Sequence, residues 1–468
     1  MLESATVTDH AQSIDPHPYG SVAEAPLRDE SELELVFVRA CKPRHLWRVG
    51  AEAEKFGVDA QTGAPLHYPG DRGVEGILHA LIERHGWHEE AEYPGGPLIA
   101  LRRGEASVTL EPGSQLELSG APMPNMHAIA NELVSHINEL AKSARDLGIV
   151  WLGLGFHPFA RQDDLDWVPK SRYAIMREYL PTRGAFGLDM MRRTATVQAN
   201  FDYSSEQDAM RKLRVALKLA PVTTAMFANS PFVEGKITGE VSRRARVWLD
   251  VDPDRTGLVP QTWRDGARFR DYIEWALDSG MFMFKREGKV LDNRGQTFRD
   301  FLKNGFKGHR ATMGDWEMHL NTLFPEVRLK RTIEIRGADS LPKPYFAALP
   351  ALWTGLLYDD TALAEAEALV EDLRFDELQE VRKRIPWEGL RATFRGKPFA
   401  ALAERVVDVA GRGLERRAIF WRDGNDERVH LRPLEALVAR AQCPADVLLE
   451  GLSDGPDLKA SILERGTV

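Results

Sequence analysis

Strict alternation of apolar and polar residues marks several segments of this chain and is typical of antiparallel strands with one buried and one polar face. Two segments show the pattern most clearly, residues 193–202 and residues 327–336. Their polar positions are Thr194, Thr196, Gln198 and Asn200 in the first segment, and Arg328, Lys330, Thr332, Glu334 and Arg336 in the second. We therefore predict a strand in each segment, with these side chains on its polar face.

The rest of the pattern predicts further strands and several helices. Strands are expected at residues 46–58, 97–103, 106–111, 150–157 and 243–250. Apolar residues at helical spacing predict helices at residues 74–85, 123–147, 171–180, 205–228, 267–278 and 314–322. The mixture predicts the α+β class.

Changes in composition predict three regions. Residues 1–30 are rich in Ser, Pro, Asp and Glu without any period, so we expect a mobile N-terminal tail. Residues 31–348 hold the predicted strands and form the expected antiparallel-sheet domain, the one suited to catalysis. From residue 349 onward Ala, Leu, Glu and Arg dominate, with helical periods at residues 361–373, 376–384, 399–417 and 433–450. Residues 349–468 are therefore predicted to be a helical region packed on the sheet domain.

Acidic residues gather on one part of the predicted sheet. Glu52 and Glu54 are two positions apart on a strand, so both point to the same face. Glu111 and Glu117 share one face if the Pro-Gly bend between them keeps the register. A solvated sheet face would explain either pair alone, but such a face usually mixes Lys with Glu across neighbouring strands.

Basic residues lie apart from these carboxylates, at Arg328, Lys330, Arg331 and Arg336. Clustered carboxylates are hard oxygen ligands that favour Mg²⁺, which shares its remaining positions with phosphates. Arginine binds phosphate or carboxylate through two parallel hydrogen bonds. The separation of charge predicts a magnesium–nucleotide site on an antiparallel sheet.

Composition and missing motifs exclude other classes. The chain has 61 Lys and Arg residues and 70 Asp and Glu residues, so its net charge is -9, and its pI is near 5.9. An acidic chain of this kind is not expected to bind nucleic acid. Two cysteines, Cys41 and Cys443, predict a reducing cytoplasm rather than a disulfide framework. No apolar run reaches the ~20 residues of a membrane span and no secretory or transit signal is recognised, so no membrane partner is expected. P-loop, GxSxG and HExxH motifs are absent.

Eight blocks of sequence, in this order, carry a family resemblance. They are EAEKFG (52–57), SVTLEPGSQLELSGAP (107–122), PKSRYAIMREYLP (169–181), GLDMMRRTATVQANFDYSSE (187–206), FANSPFVEGK (227–236), RARVWLDVDPDRTG (244–257), FPEVRLKRTIEIRGAD (324–339) and LWTGLLYDD (352–360). The chain resembles the plant-type glutamate–cysteine ligases of plants and many proteobacteria, from about residue 44 to residue 417.

The resemblance implies a fold and a reaction. The fold would be a curved antiparallel sheet of the glutamine synthetase and guanido kinase type, with helices around it. The reaction would be ATP-dependent ligation of the γ-carboxylate of L-glutamate to the amine of L-cysteine through γ-glutamyl phosphate, the first step of glutathione biosynthesis. Mg²⁺ would be the cofactor and ATP a co-substrate.

The resemblance also implies residue roles. The metal ligands would be Glu52, Glu54, Glu111, Glu117 and Glu334. Arg336 would act in catalysis with Glu334 by stabilising the transferred phosphoryl group. Glutamate would be bound by Arg172, Arg244 and Thr196, and the nucleotide side would include Gln198, Asn200 and Arg331.

Several alternatives stay open. Arg172 could be a surface helix residue, and Arg244 could be a cross-strand salt-bridge partner. The chain could join glutamate to another amine, or could be a catalytically silent regulatory homologue. A monomer and a homodimer are both compatible with the sequence. With only Cys41 and Cys443, the disulfide control known from plant members is not expected.

Overall fold

The computed structural model describes residues 25–468, in which antiparallel strands and helices are combined. The strands are β1 (Val49–Asp59), β2 (His88–Glu89), β3 (Ala100–Arg103), β4 (Ala106–Leu110), β5 (Leu116–Ser119), β6 (Ile149–Leu152), β7 (Val197–Phe201), β8 (Phe232–Val233), β9 (Lys236–Ile237), β10 (Thr256–Gly257), β11 (Met283–Arg286), β12 (Lys289–Asp292), β13 (Phe324–Pro325), β14 (Val327–Leu329), β15 (Ile333–Ile335), β16 (Thr393–Phe394) and β17 (Lys397–Pro398).

Helices occupy most of the remaining described chain. The α-helices are α1 (Leu35–Val38), α2 (Val74–His85), α3 (Met126–Ala144), α4 (Ser171–Tyr179), α5 (Gly187–Arg193), α6 (Glu206–Met226), α7 (Arg243–Trp248), α8 (Phe269–Asp278), α9 (Phe298–Asn304), α10 (Met313–Asn321), α11 (Ala348–Leu357), α12 (Asp360–Val370), α13 (Phe375–Arg382), α14 (Ile385–Glu388), α15 (Ala400–Arg417), α16 (Arg432–Val438), α17 (Pro444–Leu449) and α18 (Leu458–Gly466). Short 3₁₀ helices lie at Glu30–Glu34, Arg44–Leu46, Arg145–Leu147, Gln162–Asp164, Leu180–Thr182, Pro260–Thr262, Gly389–Arg391 and Glu427–His430.

One sheet dominates the fold. Its strands follow the order β14-β15-β7-β1-β5-β4-β3-β2, and β6 pairs with the second half of β1. Every pairing in this sheet is antiparallel. The predicted α+β class with an antiparallel sheet is confirmed.

Helices cover the apolar face of this sheet. Ala51 and Ala53 of β1 are buried, and α3 and α11 pack against the same strand. All ten residues of α11 are buried, and this helix also contacts β7. Because side chains alternate along a strand, the carboxylates at positions 52 and 54 point to the opposite face.

Three sequence predictions differ from the structure. Residues 243–250 do not form a strand but contain α7, whose first turn is capped by Ser242 Oγ accepting from Ala245 N at 2.9 Å. Residues 327–336 form two strands joined by a turn, in which Lys330 N donates to Thr332 O at 2.9 Å. Residues 433–450 form α16 and α17, because Pro444 suits the first turn of a new helix.

The predicted N-terminal tail falls mostly outside the described residues, which begin at residue 25. In the part that is described, Leu27 is buried and its N–H donates to Ala311 O at 2.8 Å. Within residues 25–468, no helix combines the length and apolar character that crossing a membrane requires.

Candidate active site

One face of the main sheet carries polar side chains from five adjacent strands, β14, β15, β7, β1 and β5. Facing residues of antiparallel strands point to the same side, so the register decides which side chains meet. The facing pairs are Arg328 with Glu334, Glu334 with Asn200, Glu52 with Gln198, and Glu54 with Glu117. Residues that lie far apart in the sequence therefore share one surface.

Glu52, Glu54 and Glu117 form the carboxylate half of this face. Glu54 Oε2 accepts from Thr196 N at 3.0 Å, and Glu52 Oε1 accepts from Asn200 Nδ2 at 2.8 Å. Burial and repulsion between neighbouring carboxylates raise the pKa of Glu52 to about 7 and also raise the pKa of Glu54 and Glu117. None of the three forms a salt bridge with a described residue, and nearby cations lower their pKa values less than burial and repulsion raise them.

Arg328, Lys330 and Arg336 form the cationic half, and they surround Glu334. Arg328 donates to this carboxylate twice, from Nε to Oε2 at 2.5 Å and from Nη2 to Oε1 at 2.9 Å. Lys330 Nζ and Arg336 Nη1 lie 3.4 Å and 3.3 Å from the same carboxylate. Burial would raise the pKa of Glu334, but the three cations outweigh it and lower that pKa. Three cations around one carboxylate leave positive charge beside the carboxylate half.

The carboxylate half has the donor chemistry of a Mg²⁺ site without a complete metal cage. Among residues 25–468, no three His, Cys, Asp or Glu side chains are arranged to hold a metal ion by themselves. Mg²⁺ usually keeps waters and phosphate oxygens and takes only one or two carboxylates, so such a cage is not required. A divalent cation would relieve the repulsion that raises the three pKa values.

Glu111 and Glu334 differ from these three carboxylates. Glu111 follows β4 directly, where its N–H donates to Gln115 O at 2.9 Å and so keeps the register across the Pro-Gly bend. Its charge raises the pKa of Glu117, which places it beside the carboxylate half. Glu334, in contrast, has both oxygens engaged by Arg328, so a metal ion could bind it only if that pair opened.

Arg244 lies in the first turn of α7 and is held next to the cationic half. Its N–H donates to Ser230 Oγ at 3.1 Å, and Ser230 Oγ donates to the buried Asp339 at 2.6 Å. Ser242, the cap of α7, also donates to Asp339, at 2.9 Å. Arg244 Nη2 donates to the backbone oxygen of Arg336 at 2.9 Å. Since Arg244 is on a helix, the alternative of a cross-strand salt-bridge partner is wrong.

Asp339 itself was missed by the sequence analysis. It is 1% exposed and connects the end of the β15 segment to the start of α7 through the two serines. Its sequence signal was an acidic residue shortly after the predicted strand at residues 327–336, within one of the blocks that carry the family resemblance.

The three remaining predicted residues have different surroundings. Arg172 is exposed at the start of α4, with its guanidinium 5.3 Å from the ring centre of Tyr173. Arg331 is exposed in the turn between β14 and β15 and forms an ion pair with Glu317 at 2.8 Å. The buried Thr196 hydroxyl donates to a backbone oxygen at 2.6 Å, so it already has a structural partner.

The start of α4, which carries Arg172, lies beside the end of β4. The neighbouring Lys170 donates to Leu110 O at 2.7 Å, at the end of β4. Burial and the neighbouring Arg172 lower the pKa of Lys170 to about 8, although Glu111 and Glu117 oppose that shift. The start of α4 therefore lies within electrostatic range of the carboxylate half.

Comparison with known proteins shows the family to which this chain belongs. The family model described as glutamate–cysteine ligase family 2 (GCS2) matches residues 48–461. The chloroplastic glutamate–cysteine ligase of Brassica juncea is 43% identical over 432 residues, covering 92% of this chain and 82% of that protein. The chloroplastic glutamate–cysteine ligase B of Oryza sativa subsp. japonica is 41% identical over 443 residues, covering 92% of this chain and 87% of that protein.

A solved structure shares the fold. The glutamate–cysteine ligase of Francisella tularensis in complex with AMP gives a TM-score of 0.56 at 12% identity, over 90% of this chain and 87% of that one. The family model and the curated relatives show that the protein is a ligase. The chain belongs to glutamate–cysteine ligase family 2, which confirms the resemblance seen in the sequence.

The expectation of a cytoplasmic protein is wrong by the same comparisons. The relatives from Brassica juncea, Oryza sativa and Arabidopsis thaliana are all chloroplastic enzymes. Low cysteine content indicated only a reducing environment, and it does not distinguish one reducing compartment from another.

Proposed function

We propose that this protein is an ATP-dependent glutamate–cysteine ligase that joins the γ-carboxylate of L-glutamate to the amine of L-cysteine and releases ADP and phosphate. The observation that carries this is the division of one sheet face into a carboxylate half and a cationic half. Activation of a carboxylate by ATP brings several anions together, so the reaction depends on positioning and charge neutralisation. The carboxylate half and the cationic half can supply positioning and charge neutralisation, and the chain belongs to a family of glutamate–cysteine ligases.

The reaction has two steps. A γ-carboxylate oxygen of glutamate attacks the γ-phosphorus of ATP, and ADP leaves. The cysteine nitrogen then attacks the acyl carbon of γ-glutamyl phosphate, loses a proton, and phosphate leaves. We assign stabilisation of the transferred phosphoryl group to Arg336, whose Nη1 donates to Gln198 Oε1 at 2.8 Å and is thereby fixed on the face. Donors that are already oriented stabilise developing charge without reorganisation.

Mg²⁺ is the proposed cofactor. Glu52, Glu54 and Glu117 are its proposed holders, with Glu111 as a further ligand on the same edge and Glu334 as a ligand only after its pair with Arg328 opens. When bound, the ion would neutralise phosphate charge. The raised pKa values of the first three carboxylates support this assignment, because a bound cation would favour their ionised forms.

The nucleotide contacts are proposed on the neighbouring strands. Gln198 and Asn200 of β7 lie between the two halves, and Arg331 lies at the tip of the β14–β15 turn. Thr332 Oγ1 donates to Asn200 Oδ1 at 3.2 Å and so orients that amide. Arg172, Arg244 and Thr196 are kept as proposed glutamate contacts. The sheet type proposed is that of glutamine synthetase and guanido kinases, an antiparallel sheet curved around ATP.

We also propose a division of the chain into domains. Residues 31–348 would be the catalytic domain and residues 349–468 a helical region packed on it. Packing of α11 against β7 and β1 supports that arrangement. L-Glutamate, L-cysteine and ATP would be the small-molecule partners.

A direct assay tests the proposed function. ADP release by the full chain would be measured with ATP, Mg²⁺ and glutamate against a panel of amines. Preference for cysteine is the expected result. Preference for another amine would reassign the second substrate, and absence of ADP release with every amine would identify a silent homologue.

Arg244→Lys should raise the Michaelis constant for glutamate by about ten-fold or more, because lysine keeps the charge but loses the two-point contact with a carboxylate. The constant for ATP should change much less. Steady-state ADP release at varied glutamate and at varied ATP measures both. A larger change in the ATP constant would move Arg244 to the nucleotide side.

Activity should not respond to dithiothreitol or to mild oxidants. Both cysteines are free, Cys443 is buried, and burial raises the pKa of both thiols, which lowers their reactive thiolate fraction. ADP release before and after each treatment measures this. A large, reversible loss of rate on oxidation that Cys443→Ser removes would contradict the expectation.

A further inference from the structure

The bend between β4 and β5 carries Glu111, the one proposed metal ligand that lies outside a strand. Strand pairing sets the positions of Glu52, Glu54 and Glu117, because the register fixes which residues of β1, β5 and β7 face each other. Glu111 is close enough to Glu54 and Glu117 for its charge to raise the pKa of both carboxylates. Its position therefore depends on the contacts that hold the bend at residues 111–115.

The backbone of this bend is buried and has an uncommon conformation. Ser114 has a φ of 70°, in the left-handed region that residues other than glycine rarely adopt. Gly113 packs against α5, where a Cβ atom would be 2.4 Å from Arg192 O, so a larger residue would not fit. Pro112 O accepts from Val168 N at 3.0 Å. Such a conformation persists only where the surrounding structure holds it.

The side chain of Gln115 connects this bend to the segment that leads into β7. Its Oε1 accepts from Gly113 N at 2.9 Å, inside the bend. Its Nε2 donates to Met191 O at 3.3 Å and to Thr194 O at 2.8 Å, which lie 76 and 79 positions further along the chain. The residue is only 1% exposed. The amide oxygen and amide nitrogen of Gln115 are thus both engaged by backbone groups.

The far end of this connection leads to the carboxylate half. Thr194 lies two residues before Thr196, whose N–H donates to Glu54 Oε2 at 3.0 Å. Thr196 O also accepts from Glu54 N at 3.0 Å. Gln115 therefore connects the segment that holds Glu54 to the bend that holds Glu111. Buried hydrogen bonds of this kind fix the separation of two carboxylates that repel each other.

The backbone partners of Gln115 require a neutral amide. Glutamate at this position would direct a carboxylate at two carbonyl oxygens. Methionine would leave Gly113 N–H and both carbonyl oxygens without this partner, which is unfavourable for buried polar groups. Because its amide is engaged within the protein, Gln115 acts through the position of other residues rather than through contact with a substrate.

We propose that Gln115 is a positioning residue that holds Glu111 within reach of the divalent cation bound by Glu54 and Glu117. The inference rests on the proposed function of the carboxylate half, and it adds a residue that does not itself touch the cation. Replacing a residue that orients a metal ligand typically weakens metal binding by about 10- to 100-fold. Gln115→Met should therefore weaken cation binding by about ten-fold or more.

Mn²⁺ binding to the full chain, without ATP or amino acids, tests this inference apart from turnover. Mn²⁺ is the probe because it favours the same oxygen ligands as Mg²⁺. Calorimetry would give the Kd of the wild type, Gln115→Met, Glu111→Gln and the double variant. Each single change should raise the Kd by about ten-fold or more, and the double variant should stay within about two-fold of Glu111→Gln. The reason is that Gln115 has nothing left to position once the Glu111 carboxylate is gone.

Two further variants keep the result interpretable. Gln296→Met is the matched control, because Gln296 also donates to a backbone oxygen, that of Gly305 at 3.3 Å, but lies between β12 and α9. Its Kd for Mn²⁺ should stay within about two-fold of the wild-type value. If urea unfolding shows that Gln115→Met does not fold, Gln115→Asn replaces it. The asparagine amide is one methylene shorter and cannot reach both Gly113 and Thr194, so we expect a weakening in the same direction.

The outcomes separate two kinds of failure. An unchanged Kd in Gln115→Met, effects that multiply in the double variant, or absence of Mn²⁺ binding by the wild type would overturn the inference. A wild-type protein that shows the expected Mn²⁺ pattern but releases no ADP with glutamate and cysteine would instead support the role of Gln115 and count against the proposed ligase function.

Discussion

Glu54→Gln should abolish ligation and leave the protein at least as stable as the wild type. The pKa of Glu54 is raised by burial and then by Glu111 and Glu117, so its ionised form is unfavourable in the absence of a cation. Glutamine keeps an oxygen that can accept from Thr196 N and changes the volume very little. Loss of one anionic oxygen should remove several kcal/mol of metal-dependent stabilisation, or about 100-fold or more in rate.

Two measurements are needed for this variant. ADP release at limiting and at saturating Mg²⁺ gives the effect on activity, and urea unfolding gives the free energy of unfolding. Glu105→Gln is the control, because Glu105 is exposed in the β3–β4 turn and away from the sheet face. Turnover near the wild-type rate at limiting Mg²⁺ would show that Glu54 does not hold the ion.

Glu334→Gln should have the opposite effect on stability, lowering the free energy of unfolding by about 3 to 5 kcal/mol, as expected when one partner of a buried ion pair is removed. Glu334 is 1% exposed and is the carboxylate that Arg328, Lys330 and Arg336 share. Glutamine would leave three cations without compensation. Urea unfolding at neutral pH measures the loss, with Glu54→Gln as the isosteric comparison on the same face.

The pH dependence of unfolding gives a second check on Glu334. Its pKa in the folded protein lies below the ordinary value of 4.5. The stability that it contributes is therefore fully present above about pH 4.5 and is lost as the pH falls below that value. Glu334→Gln should lack this part of the acid dependence. A variant as stable as the wild type at neutral pH would show that the cations rearrange without cost.

Local alternation was sufficient to predict the strands that build the site. Glu52 and Glu54 were placed on one face from their spacing alone, and the structure puts them on the polar face of β1. The period of two is a local property of an extended backbone, so the sequence carries it directly. The strand register is kept across the Pro-Gly bend by local backbone pairing between Glu111 and Gln115. This pairing brings Glu111 near Glu117.

Alternation of apolar and polar residues gave a wrong strand prediction where another local signal was stronger. Residues 243–250 alternate like a strand, yet Ser242 caps a helix there and places Arg244 in its first turn. Residues 327–336 keep their alternation through a turn, which is why Arg328 and Glu334 face each other instead of following one another along one strand. A period of two does not reveal where a chain reverses.

The sequence by itself determined the family, the antiparallel strands and the segregation of acidic from basic residues, because these depend on residue order and local spacing. Only the tertiary structure decided which charges are compensated. Arg328 neutralises Glu334 across a hairpin, whereas Glu52 and Glu54 of β1 meet Glu117 of β5 without forming a salt bridge within the described residues. Arg382 reaches Glu326 from a helix 56 positions away. Such pairings depend on strand register and helix packing between distant segments, and no local pattern encodes them.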